Sequence, residues 1–308
     1  MVKKVIIDCD VGVDDALALI LAFHSPELEV KAVTGVNGNV PLNQVFENIR
    51  QVLSLIQPKN KPFIAKGADQ PLKGKTVYAH SVHGENGLGG IKIKQKKGGG
   101  WWQFYPGPAD ELIIKMASQF PHELTLIATG PLTNLALGLQ KDPAGMKHLK
   151  EVVIMGGAVR TGGNITPRAE FNIFSDPLAA QMVFKSGLPI LLVPLDVTHQ
   201  VSLNPQWMEE NVNPLNNPFS KFVIEATGYN LTTHQFRNKK LVHLHDPLAV
   251  GVVINPNLVI KERSTIHVET AEGEYYGQTT EVKEDTKIEV CFRVLSENFL
   301  ELFLSRLG

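Results

Sequence analysis

The sequence predicts an α/β protein with an open, mostly parallel, Rossmann-like sheet flanked by helices. Apolar runs of strand length occur in the first two-thirds of the chain, at 4–10, 29–36, 124–129, 151–157 and 189–196. Such uninterrupted apolar strands are typical of a parallel sheet that is covered on both faces. Stretches of helical period lie between them, and this alternation predicts parallel strands joined by helical crossovers.

The helical stretches begin at residues that favour a helix start. Asp or Pro opens several of them, as expected for the first turn of a helix. The predicted helices cover 14–25, 42–56, 108–120, 131–140 and 176–187.

Two segments interrupt the alternation. Residues 67–107 are rich in Gly and Lys and are predicted to form a long surface excursion, whereas 196–245 is predicted to be a helical insertion. From about residue 258, β-branched and charged residues alternate, which predicts antiparallel edge strands before a final helix. No change of composition resembles a linker, so residues 1–308 are expected to form a single domain.

The composition is that of an ordinary globular protein, with 43% hydrophobic residues and 30 basic against 31 acidic side chains. A net charge of -1 provides no field that would attract nucleic acid or an anionic membrane, so a small-molecule partner is expected. No apolar run reaches the roughly 18 residues of a membrane span. The start reaches acidic residues too soon for a signal peptide, which predicts a cytoplasmic protein. Cys9 and Cys291 are expected to be buried free thiols.

Polar side chains follow the ends of the predicted strands, where an open parallel sheet binds its ligands. Four aspartates follow the first strand within eight positions: Asp8, Asp10, Asp14 and Asp15. The later strand ends and one helix start contribute Asn37, Asn39, Thr129, Asn164, Glu170, Asn172, His243, His245 and Asp246. We expect these side chains to meet in one crevice.

The aspartates of the first turn carry more charge than helix capping explains. Asp14 and Asp15 could stabilise the start of the following helix, but capping accounts for one or two acids and not for four. Neighbouring carboxylates that stay ionised require a cation. Oxygen donors without a Cys or His cluster at zinc spacing favour Ca²⁺ or Mg²⁺. The larger, more flexible coordination shell of Ca²⁺ suits a site that also binds water and sugar hydroxyls.

The motifs resemble those of the nucleoside hydrolases, the inosine-uridine preferring nucleoside N-ribohydrolases. The blocks DCDVGVDDALAL and GGNITPRAEFNIFSDPLAA are the most distinctive. The likeness continues in order through VNGN, HGENGLGG, ATGPLTNLA, IMGGAV and HDPLA, and so covers nearly the whole chain. It implies a Ca²⁺-dependent enzyme of nucleoside salvage that hydrolyses the N-glycosidic bond of ribonucleosides to ribose and free base.

The resemblance implies a calcium ion at the bottom of the pocket. Its expected ligands are Asp10, Asp15, the backbone carbonyl of Thr129, and Asp246, with room for a water molecule and the ribose 2′- and 3′-hydroxyls. Asp10 is also expected to take a proton from that water, whose acidity the cation raises. Asp8 is expected to have a supporting role only.

Further residues are implied to contact the nucleoside. Amide and carboxylate oxygens suit sugar hydroxyls and stabilise the positive charge of an oxocarbenium-like transition state. The residues expected at the ribose are Asp14, Asn39, Asn164, Glu170 and Asn172, and Met155 is expected to line the sugar pocket. At the base, His245 is expected to be the acid that assists the leaving group, because imidazole titrates near neutrality. His83 is a second candidate for this side of the substrate.

The sequence also departs from the family pattern. Val11 stands where the family commonly has Pro, which leaves the stiffness of the cation-binding turn open. The segment 220–245 is expected to cover the base, with Tyr229, His234, Gln235, Phe236 and Arg237. It contains no tryptophan to stack on a purine, and Trp207 is the nearest along the chain, which favours pyrimidine or mixed specificity. The resemblance further implies a homodimer or homotetramer.

Two other functional classes compete with this interpretation. Asp8-Cys9-Asp10 after a strand also fits phosphatases that form an aspartyl-phosphate, but such enzymes need a downstream acidic metal motif, usually a Gly-Asp pair, and the sequence has none. A nucleoside-binding protein without catalysis would be expected to lose the proton-handling groups, whereas Asp10 and His245 are both present. Release of phosphate, or binding without turnover, would distinguish these classes.

The segment KQKKGGGWW at 94–102 resembles a small nucleic-acid patch. In a nearly neutral chain, its lysines beside Trp101 and Trp102 are interpreted as a mobile solvated loop. No nucleic-acid partner is expected.

Overall fold

The computed structural model describes residues 2–93, 100–232, 241–283 and 288–308 of the chain. The strands are β1 (Lys3–Cys9), β2 (Leu28–Gly35), β3 (Phe63–Lys66), β4 (Gln103–Phe104), β5 (Leu124–Ala128), β6 (Glu151–Met155), β7 (Ile190–Val193), β8 (Ser202–Leu203), β9 (Val242–His243), β10 (Val259–Val268), β11 (Thr279–Val282) and β12 (Ile288–Val294).

The helices follow the strands in the predicted alternation through the first two-thirds of the chain. They are α1 (Val13–Phe23), α2 (Leu42–Ile56), α3 (His80–His83), α4 (Ala109–Gln119), α5 (Thr133–Lys141), α6 (Pro143–Met146), α7 (Phe171–Ser175), α8 (Pro177–Phe184), α9 (Leu195–Thr198), α10 (Pro205–Trp207), α11 (Pro218–Thr232), α12 (His245–Ile254) and α13 (Ser296–Ser305). A π-helical turn lies at Met208–Val212, and 3₁₀ turns lie at Asn213–Leu215 and Pro256–Leu258.

One large sheet organises the molecule, in the order β11-β10-β12-β7-β6-β5-β1-β2-β3-β4. Neighbouring strands from β12 to β4 are parallel, whereas β10 is antiparallel to both β11 and β12. The predicted fold class is therefore confirmed, including the antiparallel strands near the C-terminus. The helical insertion is also found, and a small antiparallel ribbon of β8 and β9 closes its two ends.

The segment 67–107 was expected to be a surface excursion, and the structure corrects this. It contains α3 and then returns to the sheet as β4, which pairs with β3 at the edge. Both β3 and β4 are short and partly polar, so they lack the apolar run that reveals a buried strand. Residues 94–99 of the Lys/Gly/Trp segment lie outside the described residues, while Trp102 packs against the core.

The core lies on both faces of the sheet. In β1, Val5, Ile7 and Cys9 face one apolar cluster, while Ile6 faces the other. Burial on both faces explains why this strand is continuously apolar, and full burial of each such side chain stabilises the fold by about 1.5–3 kcal/mol. Cys9 and Cys291 are buried free thiols, as predicted.

The position of β1 determines where a ligand can bind. From β1 the chain builds β2, β3 and β4 on one side, and then returns to add β5 on the other. In an open α/β sheet, such a reversal leaves a crevice at the carboxyl ends of the strands. The aspartates that follow β1 and Thr129 after β5 therefore lie at the same edge of this crevice.

Helix α12 brings the C-terminal part of the chain to the same place. It packs beside α1, and its first residues are His245 and Asp246. Among the described residues, no helix combines the length and the apolar character that a membrane crossing requires.

Candidate active site

A pocket of about 310 Å³ opens at the carboxyl edge of the sheet. Most of the predicted site residues line it: Asp14, Asn39, His83, Thr129, Met155, Asn164, Glu170, Asn172, His245 and Asp246. Asp10 and Asp15 are fully buried and adjoin this lining through Asn39 and Thr129. The structure thus brings the predicted residues together from seven separate parts of the chain.

The turn after β1 is fixed by its own aspartates. The backbone N–H of Gly12, just before α1, donates to Asp15 Oδ2 at 2.8 Å, so Asp15 does cap the helix. Val11 is buried, and its carbonyl accepts a hydrogen bond from Asn48 Nδ2 at 3.0 Å. That contact anchors the turn where the family commonly has a proline.

Asp14, Asp15 and Asp246 form the floor cluster, a group of carboxylates whose oxygens lie within 4.8 Å of one another. Burial, followed by repulsion from Asp14, raises the pKa of Asp15 to about 7. Burial and then repulsion from the other aspartates raise the pKa of Asp246 well above its usual value. No Lys or Arg is among the described residues that line the pocket. Compensation of this charge therefore requires protons or a cation.

Asp10 lies beside the floor cluster, close enough to Asp15 for the two negative charges to repel each other. Its Oδ2 accepts from the backbone N–H of Asn39 at 2.6 Å, while its Oδ1 is buried with no hydrogen-bond partner in the described part of the chain. Burial, followed by repulsion from Asp15, raises the pKa of Asp10 well above its usual value. Gly38 permits this packing, because a Cβ there would lie 2.1 Å from Asp10 Oδ2.

The geometry differs in detail from the expected cation ligands. Asp14, expected at the ribose, is a member of the three-carboxylate cluster, and Asp10, expected as a ligand, lies next to it. The carbonyl of Thr129 accepts from Asn172 Nδ2 at 2.7 Å. The Thr129 hydroxyl donates to Asp15 Oδ1 at 2.7 Å, a contact that the sequence did not predict.

The side chains on one wall are each held at one end by the scaffold. Asn164 Oδ1 accepts from the backbone N–H of Phe171 at 2.9 Å, which leaves its Nδ2 for a ligand. Asn172 uses its Nδ2 on the carbonyls of Thr129 and Met155, which leaves its Oδ1. The scaffold therefore holds the side-chain amides of Asn164 and Asn172 in fixed orientations.

Glu170 acts first as a structural acceptor. It precedes the short helix α7, and its carboxylate accepts from the N–H groups of Asn172, Ile173 and Gly157 at 2.9–3.1 Å. Burial raises its pKa, and these three hydrogen bonds oppose that shift. Glu170 lines the pocket while it caps the helix.

Four histidines that line the pocket form the histidine wall: His83, His199, His243 and His245. The His199 ring centroid lies 4.9 Å from that of His243 and 5.7 Å from that of His245. Burial, and then the neighbouring imidazoles, hold the pKa of His245 well below its usual 6.5. The buried hydroxyl of Thr198 lies 2.7 Å from His245 Nδ1.

His83 is held by the start of α1. The backbone N–H of Val13 donates to His83 Nδ1 at 3.1 Å, which places the proton of the neutral ring on Nε2. Burial lowers the pKa of His83, against the opposing effect of Asp14, whose Oδ1 lies 3.8 Å from Nδ1. His83 is therefore a neutral imidazole.

Several lining residues were missed from the sequence: Tyr78, Phe171 and His199. His199 directly follows the short helix after β7, so the strand-end rule identifies it when applied to the fifth apolar run as well. Tyr78 lies in the segment interpreted as a surface excursion, where no periodic pattern marked it.

The segment expected to cover the base is only partly described. His234, Gln235, Phe236 and Arg237 lie outside the described residues. Of the remainder, 241–243 and His245 line the pocket, whereas Tyr229 lies against the loop at Gly84 and Gly89.

Comparison with known proteins agrees with this geometry. A model of the inosine-uridine preferring nucleoside hydrolase family matches residues 5–301. The chain is 36% identical to a protein of Salmonella gallinarum named pyrimidine-specific ribonucleoside hydrolase RihA, covering 100% of this chain and 99% of the relative. It is 37% identical to the protein of the same name from Photobacterium profundum, with the same coverage.

Solved structures lead to the same family. A purine-preferring ribonucleoside hydrolase from Gardnerella vaginalis superposes with a TM-score of 0.90 at 31% identity, covering 99% of this chain and 98% of that one. The resemblance inferred from the motifs is confirmed, and the phosphatase and non-catalytic alternatives find no support in these matches. The chain belongs to the inosine-uridine preferring nucleoside hydrolase family and is a nucleoside N-ribohydrolase.

Proposed function

We propose that the enzyme uses Ca²⁺ to hydrolyse the N-glycosidic bond of ribonucleosides, releasing ribose and free base in nucleoside salvage. The observation that carries the proposal is the floor cluster, which adjoins the fixed amides of Asn164 and Asn172. This arrangement fits a sugar held over a cation.

The residues present fit a hard divalent cation. The buried Oδ1 atoms of Asp10 and Asp14 have no hydrogen-bond partner in the described part of the chain, and each could bind a cation. The donors are carboxylates, which suit Ca²⁺ better than zinc. We propose Asp10, Asp15, the Thr129 carbonyl and Asp246 as its ligands, with Asp14 close to them. A bound cation supplies Lewis-acid chemistry, raising the acidity of water and orienting sugar hydroxyls.

Asp10 is proposed as the general base. Its Oδ2 is held by the Asn39 backbone, so that Oδ1 is the atom that accepts the proton from the attacking water. Because Asp10 is fully buried and packed against Gly38, its orientation is fixed before substrate binds.

The ribose contacts follow from the functional groups that the scaffold leaves available. Asn164 offers its Nδ2 as a donor and Asn172 offers its Oδ1 as an acceptor. Asp14, Asn39 and Glu170 supply further oxygens, which stabilise positive charge as the ribosyl group becomes oxocarbenium-like. Met155 contributes an apolar surface beneath the sugar.

The histidine wall is proposed to face the base. His245 was expected to act as an acid, but burial holds its pKa well below its usual 6.5, so it is proposed to assist departure of the base by donating a hydrogen bond to it. His83 supports it with a donor at Nε2.

Pyrimidine ribonucleosides are the proposed preferred class, with mixed specificity as the alternative. The Salmonella and Photobacterium relatives are named pyrimidine-specific, whereas the Gardnerella structure is described as purine-preferring. No tryptophan is among the described residues that line the pocket, and this supports the pyrimidine proposal.

A reducing-sugar assay across inosine, adenosine, uridine and cytidine tests the proposal. We expect ribose release to be fastest from uridine or cytidine, to stop when a chelator is added, and to return with Ca²⁺. Equal rates of ribose release with and without chelator would contradict the role of the cation. If no nucleoside released ribose, the proposed function would be contradicted.

We also propose a cytoplasmic location and a single domain over 1–308. The resemblance further implies a homodimer or homotetramer. Light scattering of the purified enzyme gives the assembly state directly. A monomer mass of 33.9 kDa at all concentrations would contradict the oligomer.

A further inference from the structure

Thr198 contacts the histidine wall from outside the pocket. It is the last residue of α9, just after β7, and its side chain is completely buried. Its Oγ1 lies 2.7 Å from Nδ1 of His245, the first residue of α12. Because the His245 ring lines the pocket and its Nδ1 is engaged by Thr198, Nε2 is the nitrogen that remains for a ligand.

The direction of this hydrogen bond follows from the surroundings of Thr198. In a helix, a threonine hydroxyl commonly donates to the carbonyl four residues earlier. Here that carbonyl, of Pro194, already accepts the N–H groups of Val197 and Thr198. In the described part of the chain, His245 Nδ1 is the hydrogen-bond partner of the Thr198 hydroxyl. A buried hydroxyl hydrogen needs an acceptor, which favours Thr198 as the donor and Nδ1 as the acceptor.

This direction determines the tautomer of His245. A neutral imidazole that accepts at Nδ1 carries its proton on Nε2. A carboxylate in place of Thr198 would accept from Nδ1–H and would make Nε2 a base, as in the Ser-His-Asp triad. A donating hydroxyl has the opposite effect, because it presents Nε2–H to the pocket as a hydrogen-bond donor.

We propose that Thr198 is a positioning residue that holds His245 in the Nε2–H tautomer, aimed at the leaving base; this rests on the proposed function of His245. As the C1′–N bond breaks, its electron pair moves to the base, and the hydrogen bond from Nε2–H to the base strengthens. The imidazole keeps its proton. The water oxygen forms the new bond to C1′, Asp10 takes the proton of that water, and solvent then returns a proton to the released base.

Thr198→Val removes the hydroxyl and preserves the shape of the side chain. We expect kcat for uridine to fall about 10- to 100-fold, as is typical when the partner that orients a functional histidine is removed. Hydrolysis of p-nitrophenyl riboside, whose leaving group needs no such help, should change less than about threefold. Thr198→Ser retains the donor and should restore uridine turnover to within about threefold of the original.

A matched control deletes another buried hydroxyl. Thr227 is also fully buried, and its hydroxyl donates to the Val223 carbonyl inside α11. Thr227→Val should leave the ratio of the two substrate rates unchanged. If it shifts that ratio as much as Thr198→Val does, the specific role of Thr198 is refuted.

Nitrogen-15 NMR of the histidine side chains gives a readout that does not depend on turnover. The His245 signals are assigned by their loss in His245→Ala. We expect the Nε2–H tautomer in the original protein and a shift toward Nδ1–H in Thr198→Val. An Nδ1–H tautomer in the original protein would overturn the proposal.

Failure of this proposal can be told apart from failure of the proposed function. If uridine is hydrolysed and His245→Ala is selective for it, while Thr198→Val affects neither substrate, the positioning role is wrong and the function stands. If no nucleoside is hydrolysed, the proposed function itself is wrong, and the positioning proposal falls with it.

Discussion

The floor of the pocket and its histidine wall are built by opposite electrostatic means. In the floor cluster, burial raises the pKa values of Asp15 and Asp246, whereas in the histidine wall burial lowers the pKa values of His83 and His245. Burial disfavours the charged form in both cases. The wall is therefore stable as neutral imidazole, but the floor needs a compensating cation when its acids ionise.

The two regions also differ in how they are held. In the floor, the backbone N–H of Gly12 donates directly to Asp15, and beside the floor the backbone N–H of Asn39 donates to Asp10. Each of two imidazoles is held by one neutral contact at Nδ1, from Val13 or Thr198. We therefore expect changes in the floor to affect every nucleoside, and changes in the wall to depend on the base.

Removal of the cation should have the largest effect. A chelator is expected to abolish ribose release from all nucleosides and to lower the melting temperature, since a ligand at about 100 times its Kd stabilises a protein by about 2.7 kcal/mol. Ca²⁺ should restore both. A melting temperature that does not respond to Ca²⁺ would contradict the assignment of the floor.

The same experiment has a predicted pH dependence. The pKa of Asp15 is about 7 in the cation-free fold and usually 3.8, so the fold binds this proton more tightly than the unfolded chain. Stability without a cation should therefore fall as pH rises from about 4 to about 7. Ca²⁺ needs ionised ligands, so its stabilising effect should grow across that range. Melting curves at several pH values test this, and a constant effect would contradict it.

Asp10→Asn should have the next largest effect on kcat. It retains the volume of the side chain but removes the group proposed to accept a proton, so kcat is expected to fall about 100- to 10,000-fold for every nucleoside and for p-nitrophenyl riboside. Exposed Asp69 provides the control, because Asp69→Asn should leave kcat unchanged. Near-normal turnover by Asp10→Asn would refute the role as base.

His245→Ala should lower kcat only for substrates whose leaving base needs assistance. We expect about a 100-fold loss of kcat for uridine and only a few-fold loss for p-nitrophenyl riboside, whose leaving group departs without help. Steady-state rates on both substrates give the comparison. Equal losses of kcat on both substrates would show that His245 acts independently of the leaving group, as the floor residues do, and would contradict its assignment to the base.

His199→Ala should have the smallest effect. His199 lies at the rim of the wall, exposed, and its ring contacts those of His243 and His245. We expect the KM for uridine to rise about threefold, the scale of one lost ring contact, with kcat nearly unchanged. A large fall in kcat instead would show that His199 contributes to the chemical step.

Much of the fold could be predicted from the sequence, because the patterns that indicate strands and helices are local. The five apolar runs became β1, β2, β5, β6 and β7, since strands buried on both faces need an unbroken apolar sequence. Strands β3 and β4 were missed for the converse reason: β4 is the exposed edge strand, and β3 beside it is short and only partly buried, so neither requires a long apolar run.

The membership of the pocket was largely predicted, while its internal arrangement was not. The strand-end rule identified Thr129, Asn164 and Asn172, and all three line the pocket. The rule does not state which end of an amide the scaffold occupies, or that the Thr129 hydroxyl binds Asp15. Those facts depend on atoms that meet only after the chain has folded.

By itself, the sequence determined the alternation of strand and helix, the acidic turn after β1, and the family. Apolar periodicity and helix capping depend on residues that are close together in the chain, so the sequence alone predicts them. Only the tertiary structure decided that Asp14 joins Asp15 and Asp246 in one cluster, and that Thr198 reaches His245. These contacts depend on how α12 packs beside α1 and α9, because distances of a few ångströms between remote residues are set by packing and not by spacing in the sequence.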